Sequence, residues 1–251
     1  FPDRDGKSLD GRTSKERGES SDPATEVTMT ASRMVTGALG LALVMAAAPA
    51  APARQAPRGG PELDRRVEAF LESRSGGWRD MNVPEADGRI LHDLIVSKGY
   101  TRALEIGTST GHSGVWIAWA LSKTGGRLIT IDIDEGRHRE AVANFREAGL
   151  DGFIDARLAD AHELVPALPG PYDFVFCDAD KDWYKNYFVA VLPKLAVGGS
   201  FVAHNVSERM RRGGWGAADF VAHVLSLPFM ETEFVGGSWS GMSVSVKKSE
   251  K

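Results

Sequence analysis

The residues best suited to chemistry fall in two clusters. The first is Glu105-Ile-Gly-Thr-Ser-Thr-Gly-His-Ser113. An apolar run, Ala103 to Ile106, ends there in a glycine-bearing turn, and a helix-like segment follows. A strand that enters such a turn places it at the carboxyl edge of a parallel sheet, where open α/β folds bind ligands. Gly107 and Gly111 let the backbone approach a bound molecule closely, and Glu105 sets a carboxylate beside the turn. The spacing is G-x-x-x-G rather than G-x-G-x-x-G, which weighs against a dinucleotide pyrophosphate. Asp132 ends the next apolar strand, Arg127-Leu-Ile-Thr-Ile131, where a carboxylate suits the two hydroxyls of a ribose. An ordinary βαβ unit with a glycine turn would carry the same short pattern.

The second cluster is Asp178-Ala-Asp-Lys-Asp182, which follows the apolar run Tyr172-Asp-Phe-Val-Phe-Cys177. A further run, Ser200-Phe-Val-Ala203, leads into His204-Asn205. If these two strands lie side by side, Asp178 and His204-Asn205 converge. Oxygen and imidazole ligands at such a point could hold a divalent cation. A solvated charged loop beside a polar strand end is the alternative.

Alternating elements must position both clusters. Strands are expected at 102–106, 127–133, 153–158, 172–177 and 199–204, and helices at 113–122, 135–148, 161–167 and 184–195. This β/α alternation predicts a parallel sheet with helices on both faces. The tail segments Glu231-Thr-Glu-Phe-Val235 and Met242-Ser-Val-Ser-Val246 alternate in polarity and predict an antiparallel pair at the sheet edge. Ahead of the first strand, Pro61 begins a helix carrying Leu63, Val67, Phe70 and Leu71, and Pro84 opens a second with Ile90, Leu91, Leu94 and Ile95.

The chain has 251 residues and a formal net charge of −4, and its pI near 5.9 argues against a nucleic-acid partner. Cys177 is the single cysteine, so no disulfide framework exists within the chain. Residues 1–28 are charged and small and read as a disordered or artefactual leader, with Met29 a candidate start of translation. Residues 29–53 have a basic start, a short apolar centre and an A-x-A ending, the marks of a secretory signal. The apolar centre is shorter than the roughly 20 residues a bilayer span needs, so the mature chain is expected to have no stable membrane span. Residues 54–60 read as a linker and 61–251 as the folded domain. The leader points to export, periplasmic or secreted, with a cytoplasmic location as the alternative.

Together the motifs resemble the cation-dependent O-methyltransferases of the catechol and caffeoyl-CoA type, in register from about Met81 to His223. That resemblance implies a Rossmann-like class I methyltransferase fold and S-adenosylmethionine as cofactor. Met81-Asn82-Val83 resembles the segment that folds over the methionine end of the cofactor. Glu105 to Ser113 is similar to the cofactor loop E-[IL]-G-x-x-x-G-x-S, and Asp132 to the ribose-binding acid. Asp160-Ala161-His162 falls where the family lines the adenine pocket. Asp178-Ala-Asp-Lys-Asp-Trp-Tyr184 is close to D-A-D-K-x-x-Y. The resemblance therefore implies cofactor contacts at Val83, Glu105, Gly107, Thr108, Gly111, Ser113, Asp132, Ala161 and Asp178. It implies metal ligation by Asp178, His204 and Asn205, and Lys181 as catalytic base.

One departure bears on the metal. The family pattern after the fifth strand is Asp-Asn, and here it is His204-Asn205. An imidazole in place of an anionic oxygen should weaken Mg²⁺ binding, so the cation expected is Mg²⁺, Mn²⁺ or a softer ion, with loss of the metal as the alternative. The expected partner is a small hydroxylated, diphenolic acceptor, and the resemblance also implies a homodimer. Trp183 and Trp215 are candidates for stacking on such an acceptor. An ion pair with Asp180 or Asp182 is the other use open to Lys181. Two further functions compete: a metal-independent methyltransferase with His204 as base, and a cofactor-binding protein without chemistry.

Overall fold

A computed structural model describes residues 59–78, 80–213, 216–236 and 240–250, without the side chains of Arg211 and Arg212. The leader, the signal-like segment, most of the linker and Trp215 lie outside the described residues. Gly59 and Gly60, at the linker's end, are ordered against the domain: the Gly59 N–H donates to the Ser122 carbonyl at 2.9 Å, and Gly60 caps the first helix.

That helix, α1 (Pro61–Ser73), and α2 (Glu85–Lys98) precede the first strand. β1 (Arg102–Ile106), α3 (His112–Thr124), β2 (Arg127–Asp132), α4 (Glu135–Ala148), β3 (Ile154–Leu158), α5 (Ala161–Ala167) and β4 (Tyr172–Cys177) then alternate. α6 (Tyr184–Val191), β5 (Leu195–His204), α7 (Ala218–Leu225), β6 (Met230–Val235) and β7 (Met242–Lys247) complete the chain. The seven strands form one sheet in the order β3-β2-β1-β4-β5-β7-β6. β1 to β5 run parallel, and β7 lies antiparallel between β5 and β6. The expected mixed sheet with an antiparallel edge pair is the one observed. The order reverses between β1 and β4, and there a crevice opens at the strands' carboxyl ends.

The strands are buried on both faces because their residues alternate between two apolar layers. Ala103, Phe174, Phe176 and Val202 pack against α1 to α4. Leu104, Ile106, Val175, Cys177, Phe201 and Ala203 pack against α5 to α7. Cys177 is fully buried, and desolvation pushes its thiol well above the ordinary range, so it is an inert packing residue.

Most boundaries fall within two residues of expectation, two differ by four, and one helix was not expected. α6 stops at Val191 rather than 195 because Pro193 has no N–H to continue the helical ladder; Leu192 keeps helical angles (φ −51°, ψ −42°), and a short 3-10 turn, Leu192–Lys194, follows. β5 starts at Leu195 rather than 199, with a register shift opposite Tyr172 and Phe174. The segment around Phe220 is a helix, α7, whose Phe220, Val221 and Val224 fill the layer beneath β5. Among the described residues no helix is long and apolar enough to cross a membrane.

Candidate active site

A cavity of about 820 Å³ opens at the carboxyl ends of β1, β2, β4 and β5. Its floor is the loop after β1. Gly107 adopts φ 99°, and a Cβ there would sit 2.5 Å from the Asp178 carbonyl oxygen. Only glycine lets the loops after β1 and β4 come this close. The Asp178 N–H donates to the Ile106 carbonyl at 2.9 Å and locks the two strand ends together. Asp132 lies across the loop. Its carboxylate accepts from the backbone N–H of Ser109 at 2.7 Å and of Asp134 at 2.9 Å. Each oxygen is thereby oriented and keeps a lone pair for a ligand hydroxyl.

A strap, Asp80 to Asn82, borders the same cavity. Asp80 and Met81 both take left-handed backbone angles, φ 67° and 59°. Side chains hold this unusual turn in place. Arg137 grips the Asp80 carboxylate with two bonds of 2.8 Å, which holds that carboxyl below its ordinary range. Ser109 donates its hydroxyl to the Asp80 carbonyl at 2.6 Å, and Asn82 donates to the Thr110 hydroxyl at 2.7 Å. Met81 and Asn82 line the cavity, whereas Val83 is buried behind them, its carbonyl 2.8 Å from His112 Nδ1.

Glu105 is fully buried on the α3 side of the sheet, where it accepts from Thr130 Oγ1 at 2.6 Å. Thr130 in turn pairs with Thr108 Oγ1 at 2.5 Å. Burial pushes the Glu105 carboxyl from its ordinary 4.5 up to about 7; the hydroxyls of Ser113 and Thr130 oppose the rise, and the charges of Asp178 and Asp132 add to it. The folded chain therefore keeps this proton to higher pH than the unfolded chain does. Stability is fully present below pH 4.5 and declines as pH rises towards 7, a loss of roughly 3 kcal/mol from this one group. Glu105→Gln should remove that decline. Thermal unfolding should show the variant matching the natural chain at pH 4.5 and exceeding it by on the order of 10 °C at pH 8. Parallel pH profiles for the two proteins would refute this account of Glu105.

The second cluster meets the first at Asp178. Lys181 Nζ donates to Asp178 Oδ1 at 2.5 Å and to the Tyr184 hydroxyl at 2.9 Å. Tyr184 is fully buried and donates to the His204 carbonyl at 3.1 Å, and burial raises its phenol well above the ordinary value, so it stays protonated. Lys181 thus pairs with Asp178, not with Asp180 or Asp182. His204 is 4% exposed. Its Nε2 lies 2.9 Å from Asp87 Oδ2, and its Nδ1 lies 3.0 Å from Asp178 Oδ2. The second contact is an ion-pair distance without good hydrogen-bond direction. Burial disfavours the charged ring, but Asp178 and Asp87 outweigh it, and the His204 pKa rises above its ordinary value. Ser240 also donates to Asp87, at 3.0 Å.

The donor set does not fit a divalent cation. Asp178, His204 and Asn205 do converge on the cavity. Both Asp178 oxygens, however, already face the side chains of Lys181 and His204. Of the His204 ring nitrogens, Nε2 is engaged by Asp87 and Nδ1 has Asp178 Oδ2 at 3.0 Å, so an ion on Nδ1 would have to enter between the ring and Asp178. Only the neutral Asn205, at φ 56°, remains. Among the described residues no group of three or more His, Cys, Asp or Glu is arranged to hold a metal ion.

The far wall carries Asp160, Ala161 and His162. Asp160 caps α5 by accepting from the His162 N–H at 2.8 Å. His162 lies 3.1 Å from Asp180 and stacks on Trp183 with ring centroids 3.8 Å apart. Tyr187 donates to the other Asp180 oxygen at 2.8 Å. One face of Trp183 is therefore taken by His162 rather than offered to an acceptor.

Of the expected cofactor residues, Gly107, Asp132, Ala161 and Asp178 line the cavity, together with Lys181, His204 and Asn205. Val83, Glu105, Thr108, Gly111 and Ser113 form a layer behind it. Asp87, Tyr184, Ser240 and the Asp80–Arg137 pair were not among the expected site residues. Asp87 had a readable signal: it falls on the same helical stripe as Leu91 and Ile95, where a carboxylate must find a buried partner.

The family described as O-methyltransferase matches residues 63–209. A catechol O-methyltransferase of Niastella koreensis is 34% identical over 151 residues, 59% of this chain and 68% of that protein. A flavonoid 3',5'-methyltransferase of Vitis vinifera is 30% identical over 155 residues, 59% of this chain and 65% of that one. The aligned region thus spans about two thirds of each of these relatives. Among solved structures, an O-methyltransferase from Bacillus cereus in complex with SAH aligns with TM-score 0.63 at 24% identity, over 74% of this chain and 91% of that one. The O-methyltransferase TomG from Streptomyces achromogenes, in complex with SAM, aligns with TM-score 0.61 at 23% identity, over 77% and 92%.

Proposed function

The chain belongs to the O-methyltransferase family, and on that premise we propose that it transfers the methyl group of S-adenosylmethionine to an oxygen of a small hydroxylated, diphenolic acceptor. The observation that carries this reading is one cavity with Asp132 at one end and Asp178–Lys181 at the other, joined where Gly107 abuts Asp178. Its volume of about 820 Å³ suits a nucleoside cofactor and a small acceptor together. The names of the relatives, a catechol and a flavonoid methyltransferase, support the acceptor class.

In this reading Asp132 holds the ribose hydroxyls, Ala161 and His162 wall the base, and the strap at Met81-Asn82 covers the methionine end. The sulfonium methyl is already electrophilic. The site needs to bring the acceptor oxygen in line with it, and such alignment contributes several kcal/mol to barrier lowering. The acceptor oxygen bonds to the methyl carbon, the sulfur–methyl bond breaks with its electron pair left on sulfur, and the hydroxyl proton passes to Lys181 in its amine form. Tyr184 fixes the Lys181 amine in position.

The test is transfer of labelled methyl from S-adenosylmethionine to a panel of diphenols and hydroxycinnamates. O-Methylated product from at least one acceptor is expected. Cofactor binding without transfer to any of them would replace this reading with a cofactor-binding protein that does no chemistry.

A further inference from the structure

Resting on that reading, we infer that the ring of His204, clamped between the carboxylates of Asp87 and Asp178, takes the place of a divalent cation, and that this chain works without a bound metal. Asp87 is the positioning residue. It comes from the first turn of α2, far from the acidic loop in sequence, and is fully buried. Its Oδ2 meets His204 Nε2 at 2.9 Å and Ser240 Oγ at 3.0 Å. On the ring's other side, Asp178 Oδ2 lies 3.0 Å from Nδ1.

A neutral imidazole would turn a nitrogen lone pair towards a carboxylate at one of these contacts, which is repulsive. With a proton on both nitrogens, the Asp87 contact is a charge-assisted hydrogen bond and the Asp178 contact is an attraction between opposite charges. The two carboxylates, Asp87 and Asp178, then flank one cationic ring, and Lys181 Nζ occupies the other Asp178 oxygen. A divalent cation entering here would have to displace His204 or Lys181 from Asp178. A fixed ring supplies positive charge beside the acceptor oxygen without coordination. Asp87 and Ser240 keep that ring from swinging into the cavity.

Manganese binding to the full chain tests this, read by the electron paramagnetic resonance of free Mn²⁺. The natural chain should show no saturable binding below about 1 mM, the weak limit for protein cation sites, and methyl transfer should persist in excess chelator. A variant carrying His204→Asp and Asp87→Asn offers two carboxylates beside Asn205, and should gain one saturable Mn²⁺ site with at least about 10-fold tighter binding than the natural chain. One-to-one Mn²⁺ binding by the natural chain overturns the inference. So does a double variant that folds, binds S-adenosylmethionine and gains no Mn²⁺. Should the double variant fail to fold, the titration of the natural chain decides alone. Cofactor binding is measured on the same samples, so failure of the methyltransferase reading registers separately from failure of the metal-free one.

Discussion

Lys181→Ala is expected to lower methyl-transfer turnover by about 10²–10⁴-fold, the usual contribution of a placed acid–base group, while cofactor affinity changes little. The asymmetry follows from where Lys181 sits. Its amine bonds Asp178 and Tyr184 at one end of the cavity, whereas the carboxylate proposed to hold the ribose, Asp132, lies on a different strand. Lys181→Arg should not restore turnover, because guanidinium keeps the charge but does not take up a proton near neutral pH. Steady-state kinetics with a titrated cofactor separates the two quantities. Equal losses in turnover and affinity would remove Lys181 from the proton-transfer role.

Asp132→Ala should act in the opposite way. It removes the carboxylate that Ser109 and Asp134 orient at 2.7 and 2.9 Å. Two charge-assisted bonds to ribose hydroxyls, each about 1.5–3 kcal/mol, disappear. Cofactor affinity should fall about 100-fold or more. Calorimetric titration with S-adenosylmethionine reads this directly, and turnover at saturating cofactor should suffer much less. An unchanged affinity would mean that the nucleoside does not sit at β2.

Both chemistry-bearing clusters were legible because each lies where an apolar strand ends, and parallel strands deliver their carboxyl ends to one edge. Asp132, Asp178 and His204-Asn205 meet there as the alternation of elements requires. What stayed hidden was contact across distance. The apolar stripe of α2 marks Asp87 as buried, but nothing local pairs it with His204, 117 residues away. Ser240 lies in the loop between the last two strands, where spacing carries no periodic signal. The depth of Glu105 was also unread. Strand alternation turns it with Ala103 towards α3 and away from the cavity, so it acts on stability through burial while Gly107 and Asp132 line the cavity. The end of α6 was readable, since Pro193 marks it, but the apolar spacing through Leu195 concealed the break.

A crystal structure of the chain with S-adenosylmethionine bound tests the central claim most directly. The account predicts ribose hydroxyls on the Asp132 carboxylate and the methyl carbon directed at the space bounded by Asp178, Lys181 and Asn205. A nucleoside seated away from Asp132, or a methyl group turned from Lys181 towards Arg137, would contradict it.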